Sequence, residues 1–191
     1  MRRITLIFAM TFCIALSMTA QPKAIGGRIG ATGFEVSYEH TIRNADFIEA
    51  DAGMDFGYNG NGKVGVKATG IYNFMFARPA WTQRGTWGLY AGPGLSLGYV
   101  DDKVKIDRNH YYQNHGFMLS VVAQVGLEYT FWFPLQLSVD LRPMFGMHVN
   151  DAIYSNPDVN GLKTKLHGSK VGYYDGGWLG FAPTVSVRYR F

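Results

Sequence analysis

The chain of 191 residues is 47% hydrophobic and 15% aromatic, contains 24 glycines and carries a formal net charge of +4. The small excess of 18 basic over 14 acidic residues forms no basic stripe, which argues against nucleic-acid binding, and a single cysteine excludes a disulfide framework. Because no uniformly apolar stretch follows residue 20, a membrane-spanning helix is also excluded from the rest of the sequence.

The first twenty residues have the pattern of a secretory signal peptide. Two arginines form a short basic start, a mostly apolar run follows up to Ala15, and small residues precede Gln21. The run is too short to span a membrane as a helix. We therefore expect cleavage after Ala20, which removes Cys13 and leaves residues 21–191 as one domain.

Segments of alternating apolar and polar residues recur along the rest of the chain. The seven clear ones predict strands at residues 33–40, 46–58, 63–76, 86–100, 116–131, 134–147 and 178–191. Bacterial single-chain membrane barrels have even strand counts, with short periplasmic turns and longer outer loops. If the tight link at 131–134 is periplasmic, a further strand must rise through residues 24–30. The prediction is an all-β, eight-stranded antiparallel up-and-down transmembrane barrel with periplasmic termini.

The alternation gives each strand an apolar face and a polar face. In the second strand, for example, Phe34 and Val36 alternate with Glu35 and Ser37. In a membrane barrel the polar face lines the lumen, where charges must pair because an unpaired buried charge is costly. The predicted interior charge network consists of Glu35, Glu39, Glu49, Asp51, Asp55, Lys67, Glu128, Asp140, Arg142, Arg188 and Arg190. Acids outnumber bases in this set, so Arg28 is a further candidate counter-ion.

Aromatic residues concentrate at the two predicted rims. The periplasmic set is Phe74, Phe76, Trp81, Trp87, Tyr129, Phe131, Trp132, Tyr189 and Phe191, and the outer set is Phe56, Tyr58, Tyr99, Phe117, Phe145, Trp178 and Phe181. Two aromatic belts around a zone of aliphatic residues are typical of a protein that spans a bilayer. A secreted β-sandwich also alternates, but its aromatic residues more often lie centrally.

Several segments together resemble a known family. They are Ile25–Gly30, Gly33–Tyr38, Tyr90–Gly94, Val125–Tyr129, Leu135–Pro143 and Val185–Phe191, spread over almost the whole of residues 21–191. They look like the small eight-stranded outer-membrane barrels typified by OmpX and the OmpA membrane domain, and more closely like the short outer-membrane β-barrel proteins common in the Bacteroidetes. The resemblance implies the outer membrane of a Gram-negative bacterium and contact with its lipid, without a shared activity.

The last segment carries a second implication of the resemblance. Val185, Val187, Tyr189 and Phe191 alternate with polar residues up to the final Phe. This pattern is similar to the signal by which the barrel assembly machinery recognises its substrates. The resemblance therefore implies that machinery as a partner.

The lumen of such a barrel is just wide enough for its own side chains to fill. The fifth strand has four inward glycines that leave room for bulky neighbouring side chains. They are Gly88, Gly92, Gly94 and Gly98. We predict an interior plugged by polar and charged side chains. A narrow pore or a path for a small ligand is the alternative.

Two long outer segments, residues 101–115 and 148–177, combine tyrosines with Asn, Asp, Lys and Gly. Predicted as extracellular loops on a rigid scaffold, they suit adaptable contacts and indicate a structural or surface-interaction role. The competing interpretation is that they are hydrated loops without a specific partner. A strand edge exposed beyond the bilayer, able to pair with a partner strand, is a further hypothesis.

Histidines on the outer side suggest an enzyme or a metal site as further hypotheses. They are His110, His115, His148 and His167. A lipid A-modifying enzyme needs a histidine near a serine or carboxylate, but the predicted final strand has no His-x-Ser of the deacylase kind. A zinc or copper site needs its ligands in a fixed geometry, which histidines in loops do not have. Asp101, Asp102 and Asp107 lack the spacing of a calcium-binding loop, and we interpret them as solvated loop charges. The sequence thus predicts no catalytic residue, metal or cofactor.

Overall fold

The computed structural model describes residues 23–43, 46–57, 63–107, 110–156 and 164–191. For residues 43, 103–107, 110–114, 151–156 and 164–170 only the backbone is described. The predicted signal peptide and Tyr58 lie outside the described residues. The described part contains no helix with the length and hydropathy needed to cross a membrane.

The described residues form ten β-strands and one short 3₁₀ helix. The strands are β1 (Lys23–Ile29), β2 (Gly33–Arg43), β3 (Asp46–Asp55), β4 (Gly65–Ala77), β5 (Thr86–Asp107), β6 (His110–Thr130), β7 (Leu135–Leu141), β8 (Met144–Asn156), β9 (Thr164–Tyr173) and β10 (Thr184–Arg190), and the 3₁₀ helix is Asp175–Phe181.

Eight strands close into one antiparallel barrel, as the sequence predicted. Going round the wall, β1 to β7 follow in chain order, and β10 lies between β7 and β1. The seam pairs Gly27 of β1 with Val187 of β10, and Lys23 and Phe191 exchange two backbone hydrogen bonds of 3.1 and 2.9 Å. The predicted first strand at residues 24–30 is therefore confirmed, although its glycines give it a weak pattern.

The predicted seventh and eighth strands are interrupted at the same height. Pro143, which has no backbone N–H to donate, separates β7 from β8. Opposite it, the 3₁₀ helix occupies the start of the strand predicted at 178–191, so β10 begins only at Thr184. The Arg142 N–H donates to the Gly180 carbonyl at 2.7 Å in place of a ladder bond, and a Cβ at Gly180 would collide with the Arg142 backbone.

The two predicted outer loops consist largely of strand. β5 and β6 stay paired up to Asp107 and His110, and β8 and β9 form a second hairpin from Met147 to Asn156. Polar composition suggested loops, but a ladder is made by backbone hydrogen bonds, which polar residues form as well. We call residues 101–107, 110–116, 148–156 and 164–172 the extension. In the described part of the chain β9 is an edge strand, paired only with β8.

The barrel therefore has two unlike ends. We call the end with the turns at residues 78–85 and 131–134 the short-turn end, and the end that continues into the extension the long-strand end. This division matches the predicted segregation of short and long connections.

Candidate functional site

Burial in this barrel is inverted relative to a water-soluble protein. Its interior side chains are charged, and Glu49 and Arg188 are 0% and 1% exposed. Its outer wall is apolar, and Val185, Val187 and Tyr189 of one strand are 49%, 48% and 57% exposed. The interior is the candidate functional site because it holds most of the described charge of the barrel.

The Glu49 carboxylate of β3 lies at the centre of the interior. Its Oε1 accepts from Arg28 Nη1 at 2.8 Å, from Arg142 Nη2 at 2.9 Å and from Arg188 Nη2. Arg28 lies on β1, Arg142 in the break after β7, and Arg188 on β10. One carboxylate therefore connects strands on both sides of the seam. Charge-assisted bonds of this kind are the strong ones, especially away from water.

The second oxygen of Glu49 is held by neutral amides. Gln124 Nε2 of β6 donates to Oε2 at 3.1 Å, and Asn73 Nδ2 of β4 lies 3.4 Å from it. Asn73 also donates to Gln124 Oε1 at 3.2 Å. Ser37 Oγ of β2 lies 3.3 Å from Oε1, so Glu49 contacts donors on five other strands and on the Pro143 break.

Asp140 of β7 is a second acceptor for Arg28. Its Oδ1 contacts Arg28 Nη2 and accepts from Thr184 Oγ1 at 2.8 Å, while its Oδ2 accepts from Tyr90 Oη at 3.2 Å. The Tyr90 ring occupies the space above Gly126, where an added Cβ would overlap it. An inward glycine of β6 thus leaves room for a bulky neighbour, and Gly88, one of the glycines predicted on β5, does the same for the side chains of Met75 and Glu128.

Toward the long-strand end the remaining charges form a second group. Arg142 Nη1 lies 2.6 Å from Asp51 and 3.3 Å from Glu35, and Lys67 Nζ lies 3.3 Å from Glu35 and 3.1 Å from Asp55. Lys67 thus bridges two carboxylates, and Arg142, which also contacts Glu49, bridges three. A cavity of about 30 Å³ lies beside them, next to the 3₁₀ helix.

The short-turn end of the interior is less completely paired. Gln136 Nε2 donates to Glu39 at 2.8 Å and to Glu128 at 3.0 Å, and Arg188 Nη1 lies 3.7 Å from Glu39. No ion pair within 4 Å reaches Glu128 among the described residues. These carboxylates line a cavity of about 80 Å³ together with Arg190.

Above the charges, toward the long-strand end, the interior becomes apolar. The buried cluster consists of Ile71, Val100, Met118, Val122, Met144 and Tyr174. Asp102 holds the 3₁₀ helix against it, accepting from the Asp175 N–H at 2.7 Å and the Gly176 N–H at 3.0 Å. Asp102 is 1% exposed, and Asp101 is also buried and accepts from the Lys63 N–H at 3.1 Å. The prediction that they are solvated loop charges was wrong.

The two histidines with described side chains lie on opposite faces of the wall. His148 is buried inside, with Nε2 3.0 Å from the Val100 carbonyl, whereas His115 stacks edge-on against Tyr99 on the outer face. They therefore cannot bind one metal ion. The side chains of His110 and His167 lie outside the described set, within which no group of three His, Cys, Asp or Glu residues could hold a metal.

Most residues of the predicted interior network lie where the alternation put them. Ten of the eleven are buried on the inner face. Of these ten, Glu128 alone lacks an ion pair in the described structure. The eleventh, Arg190, is half-buried at the short-turn end, with no carboxylate within 4 Å among described residues. The sequence analysis named Arg28 only as a further candidate counter-ion, although it contacts three carboxylates, those of Glu35, Glu49 and Asp140. It also missed the amide donors Gln124 and Gln136. Their inward positions were readable, but their partners depend on which strands face each other across the lumen.

Parts of the aromatic belts form clusters of rings. At the short-turn end, ring centroids lie 4.7 Å apart for Trp87 and Tyr129 and 4.6 Å apart for Tyr129 and Phe131. At the long-strand end, Trp178 of the 3₁₀ helix lies 5.5 Å from Phe145 and 5.8 Å from Phe181. Most of the wall between them is aliphatic.

Comparisons with protein-family models, with curated proteins and with solved structures find no match to the chain. The functional argument therefore depends on the geometry of the barrel alone.

Proposed function

We propose that this chain is an integral outer-membrane β-barrel of a Gram-negative bacterium, produced with a signal peptide at residues 1–20, and that it acts in envelope structure or surface interaction. The observation that carries the proposal is the inverted burial. An apolar wall this extensive far exceeds the exposed patches of soluble monomers, and lipid is the solvent that satisfies it. The two aromatic belts support the same interpretation, since Trp and Tyr favour membrane interfaces.

In the proposed orientation the short-turn end faces the periplasm and the extension projects from the cell surface. Short turns on the periplasmic side and long connections outside are usual for such barrels. The outward row of Val185, Val187, Tyr189 and Phe191 would then be presented to the assembly machinery from the periplasmic side.

The proposed interior is a plug. Side chains from all sides of the wall meet at Glu49, and the cavities beside the network, about 30 and 80 Å³, are separated by it. Opening a water-filled path would require separating several buried ion pairs, each of which costs several kcal/mol to break by removing one partner. A conducting pore is therefore not part of the proposal.

The extension is the proposed interaction surface. It is a four-stranded sheet of order β5, β6, β8, β9, and β9 has an unpaired edge in the described structure. Such an edge can accept an additional strand through main-chain hydrogen bonds. An extended peptide segment of another surface molecule is thus the kind of partner that this surface suits.

A second candidate function is supported by the position of His167 and Ser169. Both lie on the backbone of β9, two residues apart, where the sequence had suggested a loop. A histidine and a serine on a strand near the outer membrane surface suit hydrolysis of a lipid A ester. Mass spectrometry of lipid A from cells with the wild-type chain or with His167→Ala tests this; loss of an acyl chain only with the wild type would support catalysis.

Protease digestion of intact cells tests the main proposal. We expect cleavage within the extension, outside the barrel, and protection of the fragment from Thr184 to Phe191. A variant with residues 152–168 replaced by Asn-Gly should assemble normally and resist the protease in the β8–β9 hairpin. Cleavage at the turn 78–85 in intact cells, with the extension protected, would contradict the orientation, and full release by carbonate washing would contradict membrane insertion.

A further inference from the structure

Arg84 occupies an unusual position for a charged side chain. It lies in the turn between β4 and β5, at the level of the aromatic belt of the short-turn end, and it is exposed. Its guanidinium lies over the Trp132 ring, 5.8 Å from the centroid. The ion pairs found among the described residues, with N–O distances up to 4.0 Å, do not include it.

The turn holds Arg84 in place. Its carbonyl accepts from Tyr129 Oη and from Thr82 Oγ1, both at 2.8 Å, and Trp87 Nε1 donates to Thr82 Oγ1 at 3.2 Å. Gly85 follows with φ of 75°, a conformation that favours glycine and sets the direction of the turn. The backbone of Arg84 is therefore fixed before any ligand arrives.

Among the described residues the guanidinium has no hydrogen-bond or ion-pair partner, so its N–H groups are available beside the Trp132 contact. A guanidinium binds an oxyanion through two such N–H groups in a bidentate way. An arginine at a membrane interface without a protein carboxylate can therefore bind another anion. In the bilayer of the proposed function that anion is the phosphate of a lipid.

The wall above Trp132 suits the rest of such a lipid. Moving away from the short-turn end, the outer face presents Leu127, paired with Val139, and then Val125. Val125 and Val139 are each 47% exposed. This gives an aliphatic strip for an acyl chain, separated from the turn by the pair Tyr129–Leu137.

We propose that Arg84, with Trp132 and this aliphatic strip, forms a binding site for an anionic phospholipid of the leaflet that surrounds the short-turn end. This inference rests on the proposed function, because it requires the barrel to lie in a bilayer. Arg78, in the same turn, provides a matched control. It is also exposed, but it lines the mouth of the interior cavity with Glu128 and Arg190.

Quenching of tryptophan fluorescence by brominated lipids tests the site. The experiment uses a protein with the substitution Trp178→Phe, so that the remaining tryptophans, Trp81, Trp87 and Trp132, all lie at the short-turn end. It is reconstituted in phosphatidylcholine vesicles that contain a small fraction of brominated phosphatidylglycerol or, separately, of brominated phosphatidylcholine. We expect a preference of about fivefold for the anionic lipid, from one interfacial cation.

Variants identify the source of the preference. Arg84→Ala should abolish it, Arg84→Lys should keep only part of it because an ammonium cannot bind in a bidentate way, and Arg78→Ala should retain it. Equal quenching by the two lipids with the wild-type turn, or an equal loss in Arg78→Ala and Arg84→Ala, would overturn the site. Absence of quenching by either lipid would instead overturn the membrane proposal. Unchanged heat-dependent gel mobility shows that each variant is folded.

Discussion

The outer wall and the interior of the barrel are built from the same strands but follow different rules. Along β6 the outward residues Phe117, Leu119, Val121 and Val125 are apolar throughout, whereas the inward ones change from Met118 to Gln124 and Glu128. The outer face meets one solvent and can be uniform. The inner face meets different strands at each height, so its chemistry is set by individual partners. The alternation of the sequence therefore predicts the outer face of a barrel more completely than the contacts of its inner face.

The sharpest test of this contrast is to remove the central interior carboxylate. Glu49→Ala leaves Arg28, Arg142 and Arg188 without their shared acceptor, and we expect the free energy of unfolding to fall by about 3–5 kcal/mol. Urea titration of the protein in lipid vesicles, followed by tryptophan fluorescence, measures it. A loss below about 1 kcal/mol would mean that the nearby carboxylates Asp51 and Asp140 take over the arginines, and that the network has no single centre.

The apolar half of the interior should respond to lost volume. Met118→Ala removes a fully buried side chain from the cluster around Tyr174, and we expect a loss of about 2–3 kcal/mol in the same titration. The matched control is Leu119→Ala, the next residue, which points outward and is 44% exposed. Its cost should be smaller because lipid chains fill the space. Equal losses at the two positions would contradict the division between a packed interior and a solvated wall.

The smallest effect is expected where the interior is least paired. Glu128→Gln keeps the shape of the side chain and removes a charge that has no ion pair among the described residues. We expect a change within about 1 kcal/mol of the wild-type unfolding free energy. A loss as large as that of Glu49→Ala would show that Glu128 is strongly held by Arg78 or Arg190 at the cavity mouth.

Much of the architecture was predictable from the sequence because two periodic signals reinforce each other. Alternation identified the barrel strands and their inward charges, and the rule of even strand numbers located the strand at residues 24–30. The extension was missed because its polar composition lacks the apolar alternation that identified the barrel strands. The 3₁₀ helix was missed because it depends on a contact between Arg142 and Gly180, which are 38 positions apart in the sequence.

The central charge contacts could be predicted only as a set. Alternation places Glu49 and Arg188 inside, but their meeting depends on how far each side chain reaches across the lumen and on the height of each strand in the wall. Arg28 was understated for the same reason, since it lies in the strand with the weakest pattern. Pairing across a lumen is a property of the closed barrel, whereas alternation is a property of each strand alone.

The paired interruptions at Pro143 and at the 3₁₀ helix make the molecule modular. Beyond them, the β8–β9 hairpin is attached to the rest of the wall through β6, while β7 and β10 complete the barrel below. Changes in the length of that hairpin, made two residues at a time on matching arms, leave the seam and the charges around Glu49 untouched. The chain thus offers a display scaffold, in which a foreign hairpin can replace residues 152–168 while the barrel keeps its own sequence.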